Sequence, residues 1–287
     1  MKNWEMALAT ALQRQWKRYR KALRRCQRDF SERSIHASRI EARRLAAQLD
    51  LLRVFASRGA IEKAHRSIKR HLDAFDPLRD AHVQLAMIKK ECARISGARA
   101  VGKIIASRER KCQRAAKRCL RRIKTRPTRD VVEMLVERLQ ERGKSPVRMR
   151  RDRGIILHSV ETAFAQVVEC RRRMNATEPA TIHRARVAFK RFRYMMEAMR
   201  PLLPGITPRR LEAMKAFQSL LGNLQDTDVF LARVDNLIAR NRVEAAEAAP
   251  LRRWLVRRHG RQVNQCLRRA DFVFKFWPLS SVSVEAS

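Results

Sequence analysis

The sequence predicts an all-α protein built from two helical bundles related by a pseudo-twofold axis. Only 8 Gly and 9 Pro occur among the 287 residues, too few for the frequent tight turns of an all-β sandwich. Hydrophobic residues make up 45% of the chain, which is enough for a sizeable core and too many for a disordered basic tail. An internal repeat of about 147 residues is far longer than a solenoid repeat and predicts two similar halves.

Helical periodicity places the elements in order along the chain. In the first half it predicts helices at about 4–28, 33–56, 60–74, 79–95 and 98–124, with a short amphipathic segment at 130–141. In the second half, turns are predicted from Pro201 to Pro208 and at Leu221-Gly222-Asn223. Gly143 and Pro146 also interrupt the periodicity. The segment 143–153 is therefore predicted to be a linker between one repeat at 1–142 and a second at 154–287.

The repeat consists of short matches that recur in one order. The run Ile35-His36-Ala37-Ser38-Arg39-Ile40 returns 147 residues later as Ile182-His183-Arg184-Ala185-Arg186-Val187. Further downstream, Cys119-Leu120-Arg121-Arg122 returns as Cys266-Leu267-Arg268-Arg269. Between these runs the offset shifts by one residue, to 146. Composition alone does not produce ordered matches of this kind, so the chain is interpreted as an internal duplication.

The charge balance predicts an anionic partner. Lys and Arg total 66 against 28 acidic residues, a formal net charge of +38, so the folded protein must tolerate strong self-repulsion or bind an anion. No stretch reaches the ~18 apolar residues of a membrane-spanning helix, and the N-terminus has no apolar signal core. The six cysteines include no Cys-x-x-Cys pair. Reduced cysteines in a cytoplasmic protein without a membrane partner are therefore expected.

A cationic row flanks the expected core stripe of one helix in each half. The core stripes are Ile35, Ala42, Leu45, Leu49 and Leu52, and Ile182, Phe189, Phe192, Met196 and Met199. The cationic rows are His36, Arg39 and Arg43, and His183, Arg186 and Lys190, the second row being joined by Arg193. A single basic helix face is usually an ordinary solvated surface. A His-x-x-Arg pattern copied in both halves, with one His and two or three cations, instead suits a row of phosphates.

Further basic stripes lie on other helices. One runs along the first helix through Arg14, Arg18, Lys21 and Arg25. Another passes through Arg114 and Arg118 and is echoed by Arg261 in the second half. Each stripe alone is more often a solvated face than a binding site, but several on one bundle raise the local positive potential.

These residues resemble a known family. The pattern His-x-x-Arg-(Ile/Val)-x-x-(Arg/Lys)-Arg, followed by Leu-Gly-x-x-x-Asp-x-Asp-Val and present twice, resembles the CHAD family, the conserved histidine α-helical domain. The second half matches closely, over 182–194 and 221–229. The first half departs from the pattern: Asp76 stands at the glycine position, His82 replaces the second aspartate and Ala46 replaces the third cation.

The resemblance implies a pair of four-helix bundles with a basic groove or pore that binds inorganic polyphosphate. It also implies a binding module associated with polyphosphate granules or used for targeting. The ligand-contact role transferred by the resemblance falls on His36, Arg39, Arg43, His183, Arg186, Lys190 and Arg193, and further on Lys69 and Lys215. Arg44 and Arg191, next to these positions, are also predicted to contact polyphosphate. The repeated acids Asp80 and Asp226 are expected either to cap a helix or to orient an arginine from a neighbouring helix.

The sequence also bears on two other function classes, enzymes and nucleic-acid-binding proteins. The sequence has no phosphate-binding glycine loop and no repeated acidic pair for a metal-dependent hydrolase, so a non-enzymatic protein without a cofactor or metal is expected. The alternative is a basic helical protein that binds nucleic acid, because a pI near 11.6 is typical of that class. Aromatic residues are only 6% of the chain, which disfavours binding by base stacking. Non-specific contact with nucleic acid is expected from the charge alone, and the oligomeric state is left open.

Overall fold

The computed structural model describes residues 3–278, and within that range it contains helices and no strand. The long helices α1 to α9 are Trp4–Asp29, Glu32–Leu51, Arg58–Met87, Ala98–Arg121, Arg126–Arg142, Pro146–Arg172, Pro179–Met199, Pro208–Ala239 and Ala245–Arg268. The all-α prediction is confirmed. No helix in the described range is both long and apolar enough to span a bilayer.

Short polar side chains fix where several helices begin. The Asn3 carboxamide oxygen accepts from the Met6 amide at 3.0 Å at the start of α1. Ser31 and Ser34 form a reciprocal capping box at the start of α2, and Thr207 accepts from the Arg210 amide at 3.1 Å at the start of α8. Each bond satisfies an amide that the first helical turn leaves without a partner. These caps set the starting points of the helices that carry the site.

The third helix is longer than the sequence predicted. The expected break between helices at 60–74 and 79–95 is wrong, because α3 continues through Pro77. Proline in a helix interior costs about 3 kcal/mol. Phe75 and Leu78, on either side of it, are both fully buried, and their burial offsets much of that cost. The helix then ends in a π-helical turn, Ile88–Cys92.

The predicted turn at Leu221-Gly222-Asn223 is also wrong, since α8 passes through it without a break. Glycine weakens a helix by only about 1 kcal/mol. Leu221 and Leu224 are each 2% exposed, so core packing holds the helix together at this point.

The predicted linker at 143–153 is mostly helical. Helix α6 begins at Pro146, where proline is well suited to the first helical turn, so the non-helical connection shortens to residues 143–145. Asp152 is fully buried within α6 and accepts from Arg142 Nε at 2.5 Å. This ion pair joins the end of α5 to the start of α6.

Helix bounds recur between the halves at the offset found in the sequence. Helices α2 and α7 begin at residues 32 and 179, and α4 and α9 span residues 98–121 and 245–268. In the described part of the second half, α9 is followed by a short 3₁₀ helix, Ala270–Lys275. These bounds match a repeat of 147 residues. The duplication of an ancestral segment and the assignment of the halves as domains stay predictions.

The core extends across both halves. All ten residues of the two expected core stripes are buried and belong to one apolar cluster. A second, smaller cluster joins Val101 and Ile105 of α4 to Phe230 of α8 and Leu251 of α9. The halves therefore share their hydrophobic packing.

Helices α2 and α7 are joined by two reciprocal ion pairs. Arg44 Nε lies 2.9 Å from Glu197 Oε2, and Arg191 Nε lies 2.9 Å from Asp50 Oδ2. Residues 44 and 191 are equivalent at an offset of 147, and so are residues 50 and 197. Reciprocal contacts between equivalent residues are what a twofold axis produces. The contact brings the two predicted cationic rows into neighbouring positions.

The two acids of these ion pairs are expected to contribute differently to stability. Glu197 also accepts from Arg193, whose side chain is only 7% exposed, so Glu197→Gln leaves a buried charge without compensation. We expect Glu197→Gln to lower the free energy of unfolding by about 3 kcal/mol in urea denaturation at pH 7. Asp50→Asn, whose partner Arg191 is 41% exposed, should cost about 1 kcal/mol or less. Equal losses would contradict the burial difference.

Candidate functional site

A cavity of about 680 Å³ lies between α2, α3, α7 and α8. Seven Lys or Arg side chains and four aspartates line it. The cations are Arg39, Arg43, Lys69, Arg79, Arg186, Lys190 and Arg191. Six of them were predicted from the sequence, and His183 is a seventh predicted residue on the wall. The cavity therefore brings together side chains from both cationic rows.

Three of the lining cations lack an acidic partner. Arg43, Arg186 and Lys190 form no hydrogen bond or ion pair within the described part of the chain, and the buried Nε of Arg186 has no acceptor. The pKa of Lys190 is lowered to about 7, first by burial and then by the positive charges of Arg43 and Arg186. Burial, followed by the charge of Arg39, lowers the pKa of Arg43 to about 10. Burial also lowers the pKa of Arg186. This cluster of Arg43, Arg186 and Lys190, named here the unpaired cluster, is positive charge on which Asp226 and Asp76 act without forming an ion pair with it.

The other arginines of the wall are held by acids. Arg39 is 3% exposed; it donates to Asp76 Oδ1 at 2.5 Å and to the Leu72 carbonyl at 2.9 Å. Arg79 Nη1 lies 2.8 Å from Asp226 Oδ1 and 3.4 Å from Asp80 Oδ1. Asp226 thus orients an arginine from a neighbouring helix, as one of the two sequence-based interpretations expected. Asp80 and Asp226 lie inside α3 and α8, so the capping interpretation is wrong.

The two equivalent histidines occupy different surroundings. His183 lies on the cavity wall, and its Nδ1 contacts Oε1 of Gln225. His36 is exposed and lies outside the cavity wall. Its pKa is lowered by burial of part of the ring and by the charges of Arg39 and Arg43. Of the two equivalent histidines, only His183 lines the cavity that holds the unpaired cluster.

The two predicted lysines also differ in whether they line the cavity. Lys69 lines the cavity and lies 3.9 Å from Asp73 on an exposed face of α3. Lys215 lies outside the cavity and 3.4 Å from Glu212. The structure therefore does not bring Lys215 to the site.

Arg193 was expected to face a row of phosphates, but this is wrong, because its side chain is buried. Its side chain is enclosed by Glu197, by Gln218, whose Oε1 accepts from Nε at 2.7 Å, and by the ring of Tyr194, 4.2 Å from the guanidinium carbon. Arg44 likewise points away from the main cavity. It lines a smaller cavity of about 340 Å³, together with Arg14 and Arg18.

The remaining predicted cations lie on outer surfaces. Lys21 lines a shallow groove along α1. Arg25 on α1, Arg114 and Arg118 on α4, and Arg261 on α9 are exposed outside the main cavity. These stripes are not brought together with the unpaired cluster.

Arg79 and Gln225 are among the cavity residues that sequence reasoning missed. Arg79 stands next to the repeated Asp80, but its equivalent in the second half is Gln225, so a search for repeated cations passes over it. Gln225 contacts His183. A comparison of the residues next to each repeated position, including those that differ between the halves, could have identified Arg79 and Gln225. Among the described residues, no three His, Cys, Asp or Glu side chains are grouped as a metal site.

Replacing Lys190 by Met is expected to stabilise the free protein in a pH-dependent way. An unfolded lysine titrates near ~10.4, whereas the pKa of Lys190 in the folded protein is about 7. Between these values the unfolded chain binds more protons, so the free energy of unfolding of the wild type rises with pH there. Below pH 7 the cost of the buried charge is fully present. The gain from Lys190→Met should therefore be about 2 kcal/mol larger at pH 7 than at pH 9.5.

Urea denaturation in buffer without polyvalent anions measures this difference. Lys215→Met, which removes an exposed lysine, is the matched control and should show no such pH dependence. An equal gain from Lys190→Met at both pH values would mean that Lys190 keeps its ordinary pKa.

Comparison with known proteins assigns the chain to a family. The family model described as "CHAD domain" matches residues 7–235. The crystal structure of the CHAD domain from the plant Ricinus communis is similar with a TM-score of 0.72 and 20% identity, covering 96% of this chain and 92% of that one. PptA from Streptomyces chartreusis is similar with a TM-score of 0.65 and 16% identity, covering 94% and 97%. No curated protein shows significant sequence similarity. The family match spans most of the sequence, and the chain belongs to the CHAD family.

Proposed function

We propose that the cavity binds inorganic polyphosphate and that the protein acts as a binding module, not as an enzyme. The observation that carries the proposal is the unpaired cluster of Arg43, Arg186 and Lys190 in a half-buried cavity. Positive charges confined together lower each other's pKa. A bound anion would supply the missing countercharge and hydrogen-bond acceptors.

The arrangement of the cavity suits a chain of phosphates better than a single one. The cavity volume of about 680 Å³ is larger than the space that a single ion pair of side chains occupies. Cations line the cavity on both α2 and α7. Arginine presents a planar fork of donors that matches phosphate oxygens. Consecutive phosphates of an extended anion could therefore pair with Arg186, Lys190 and Arg43 in turn.

The alternative, binding of nucleic acid, has less support inside the cavity. Single strands are usually held by bases stacked on aromatic side chains. Within the described range, the cavity lining includes no Phe or Trp. Tyr194 is 6% exposed, and the guanidinium of Arg193 covers one face of its ring. Nucleic acid would instead contact the outer arginine stripes, in a manner that weakens strongly with salt.

A module of this kind would associate with polyphosphate granules in the cytoplasm, or direct a partner protein to them. The family resemblance supports this role. The outer stripes on α1, α4 and α9 would add long-range attraction for a polyanion without forming the specific site.

Competition at about 150 mM salt tests the proposal, because surface charges are then screened beyond roughly 8 Å. Protein bound to labelled long-chain polyphosphate is challenged with duplex DNA and with structured RNA at equal phosphate concentration. We expect polyphosphate to be preferred by about a hundredfold, some 2.7 kcal/mol. Equal competition by all three would overturn the proposal in favour of nucleic-acid association.

A paired substitution tests whether the unpaired cluster is the site. Arg186→Ala with Lys190→Ala removes two charge-assisted contacts and should weaken polyphosphate binding by at least about thirtyfold, ~2 kcal/mol. The matched control, Arg148→Ala with Arg150→Ala, removes two exposed cations from the start of α6. It should cost about twofold at the same salt concentration. Equal losses in a fluorescence anisotropy titration would indicate diffuse attraction and no formed site.

A further inference from the structure

The two halves of the cavity differ at one pair of equivalent positions. Arg39 of α2 corresponds to Arg186 of α7 at an offset of 147. The α3 residue that contacts Arg39 is Asp76, and its equivalent on α8, at the local offset of 146, is Gly222. An acid in one half therefore corresponds to a glycine in the other.

In the first half an acid is ion-paired with the arginine. Arg39 donates to Asp76 Oδ1 at 2.5 Å, and its remaining contact is the Leu72 carbonyl at 2.9 Å. Asp76 itself is 50% exposed and lies on the cavity wall. Its carboxylate thus pairs with Arg39 while standing in the cavity that an incoming anion would enter.

In the second half the position equivalent to Asp76 carries no acid, and Asp226, the acid whose charge acts most strongly on Arg186, is ion-paired with Arg79. The buried Nε of Arg186 has no hydrogen-bond acceptor within the described residues. A Cβ atom built on Gly222 would lie 4.0 Å from that nitrogen, an ordinary van der Waals contact. The glycine leaves room beside Arg186 that an acidic side chain takes up beside Arg39.

We propose that Asp76 is a built-in substitute for a bound phosphate, which closes the first-half subsite and directs the polyanion to Arg186. This inference rests on the proposed function. The first phosphate pairs with Arg186 beside Gly222, and the chain continues along Lys190 and Arg43. The negative charge of Asp76 then repels the next phosphates of the chain on the first-half side of the cavity. This repulsion limits the affinity for the polyanion there. The cavity has one open subsite and one that its own carboxylate occupies.

Removing the charge of Asp76 should open the first-half subsite. We expect Asp76→Asn to bind labelled long-chain polyphosphate about fivefold more tightly or better at 150 mM salt. Asp73→Asn is the matched control, because Asp73 lines the same cavity on the same helix but pairs only loosely with exposed Lys69, at 3.9 Å. Its effect should stay within about twofold.

Adding a charge at the equivalent position should close the open subsite. Gly222→Asp is expected to weaken binding about tenfold relative to Gly222→Asn, which has the same shape without the charge. Both variants place a Cβ in ordinary van der Waals contact with Arg186, 4.0 Å from its Nε, and circular dichroism melting checks that both fold. This pair decides the question if Asp76→Asn, which leaves the buried Arg39 without its acid, is too unstable to titrate.

The outcomes separate this inference from the function on which it rests. If the wild type fails to prefer polyphosphate over nucleic acid, the proposed function is wrong. If the wild type does prefer polyphosphate, but Asp76→Asn behaves like Asp73→Asn or Gly222→Asp behaves like Gly222→Asn, the function stands and the role of Asp76 is overturned.

Discussion

Repulsion between like charges at the contact of α2 and α7 is the constraint on which the site depends. Arg43 and Lys190 occupy equivalent positions on the two helices, and both line one cavity without an acidic partner. The same two helices are held together by the reciprocal pairs Arg44–Glu197 and Arg191–Asp50. Buried apolar residues of both helices belong to the shared core. The fold thus holds in place an arrangement of cations that would otherwise separate.

Charge density alone does not identify the site. The formal net charge of +38 is spread over several helix faces, and exposed cations gain little from any one partner because water and salt screen them. What distinguishes the cavity is burial together with a missing countercharge. Arg39 shows the difference, since it is more deeply buried than the unpaired cluster but is neutralised by Asp76. A search for anion sites in such basic proteins should therefore rank each cation by how deeply it is buried without an acidic partner.

The sequence was sufficient to predict the helical class, the core stripes and most of the cavity cations. Periodicity along a helix determines which face is buried, and the repeat selected Arg43, Arg186 and Lys190 among many cations. It could not predict that α3 continues through Pro77, because that depends on tertiary burial of Phe75 and its neighbours. Arg193 was misjudged for a related reason. Its helical position lies beside the cationic row, and only the packing of Glu197 and Tyr194 against it reveals that it is internal.

The departures of the first half from the family pattern are compensated by their surroundings. In the second half Glu197 accepts from two cations, Arg44 across the axis and Arg193 on its own helix. In the first half the residue equivalent to Arg193 is Ala46, and the equivalent acid, Asp50, instead meets Arg191 across the axis and His65 Nε2 at 3.0 Å.

A histidine from α3 thus contacts Asp50, where a cation on α7 contacts the equivalent Glu197. Asp76 adds a negative charge to the first-half wall of the cavity, next to Arg39. By net charge the first half is therefore the less cationic wall, and Arg186 has no equivalent of the acid that pairs with Arg39.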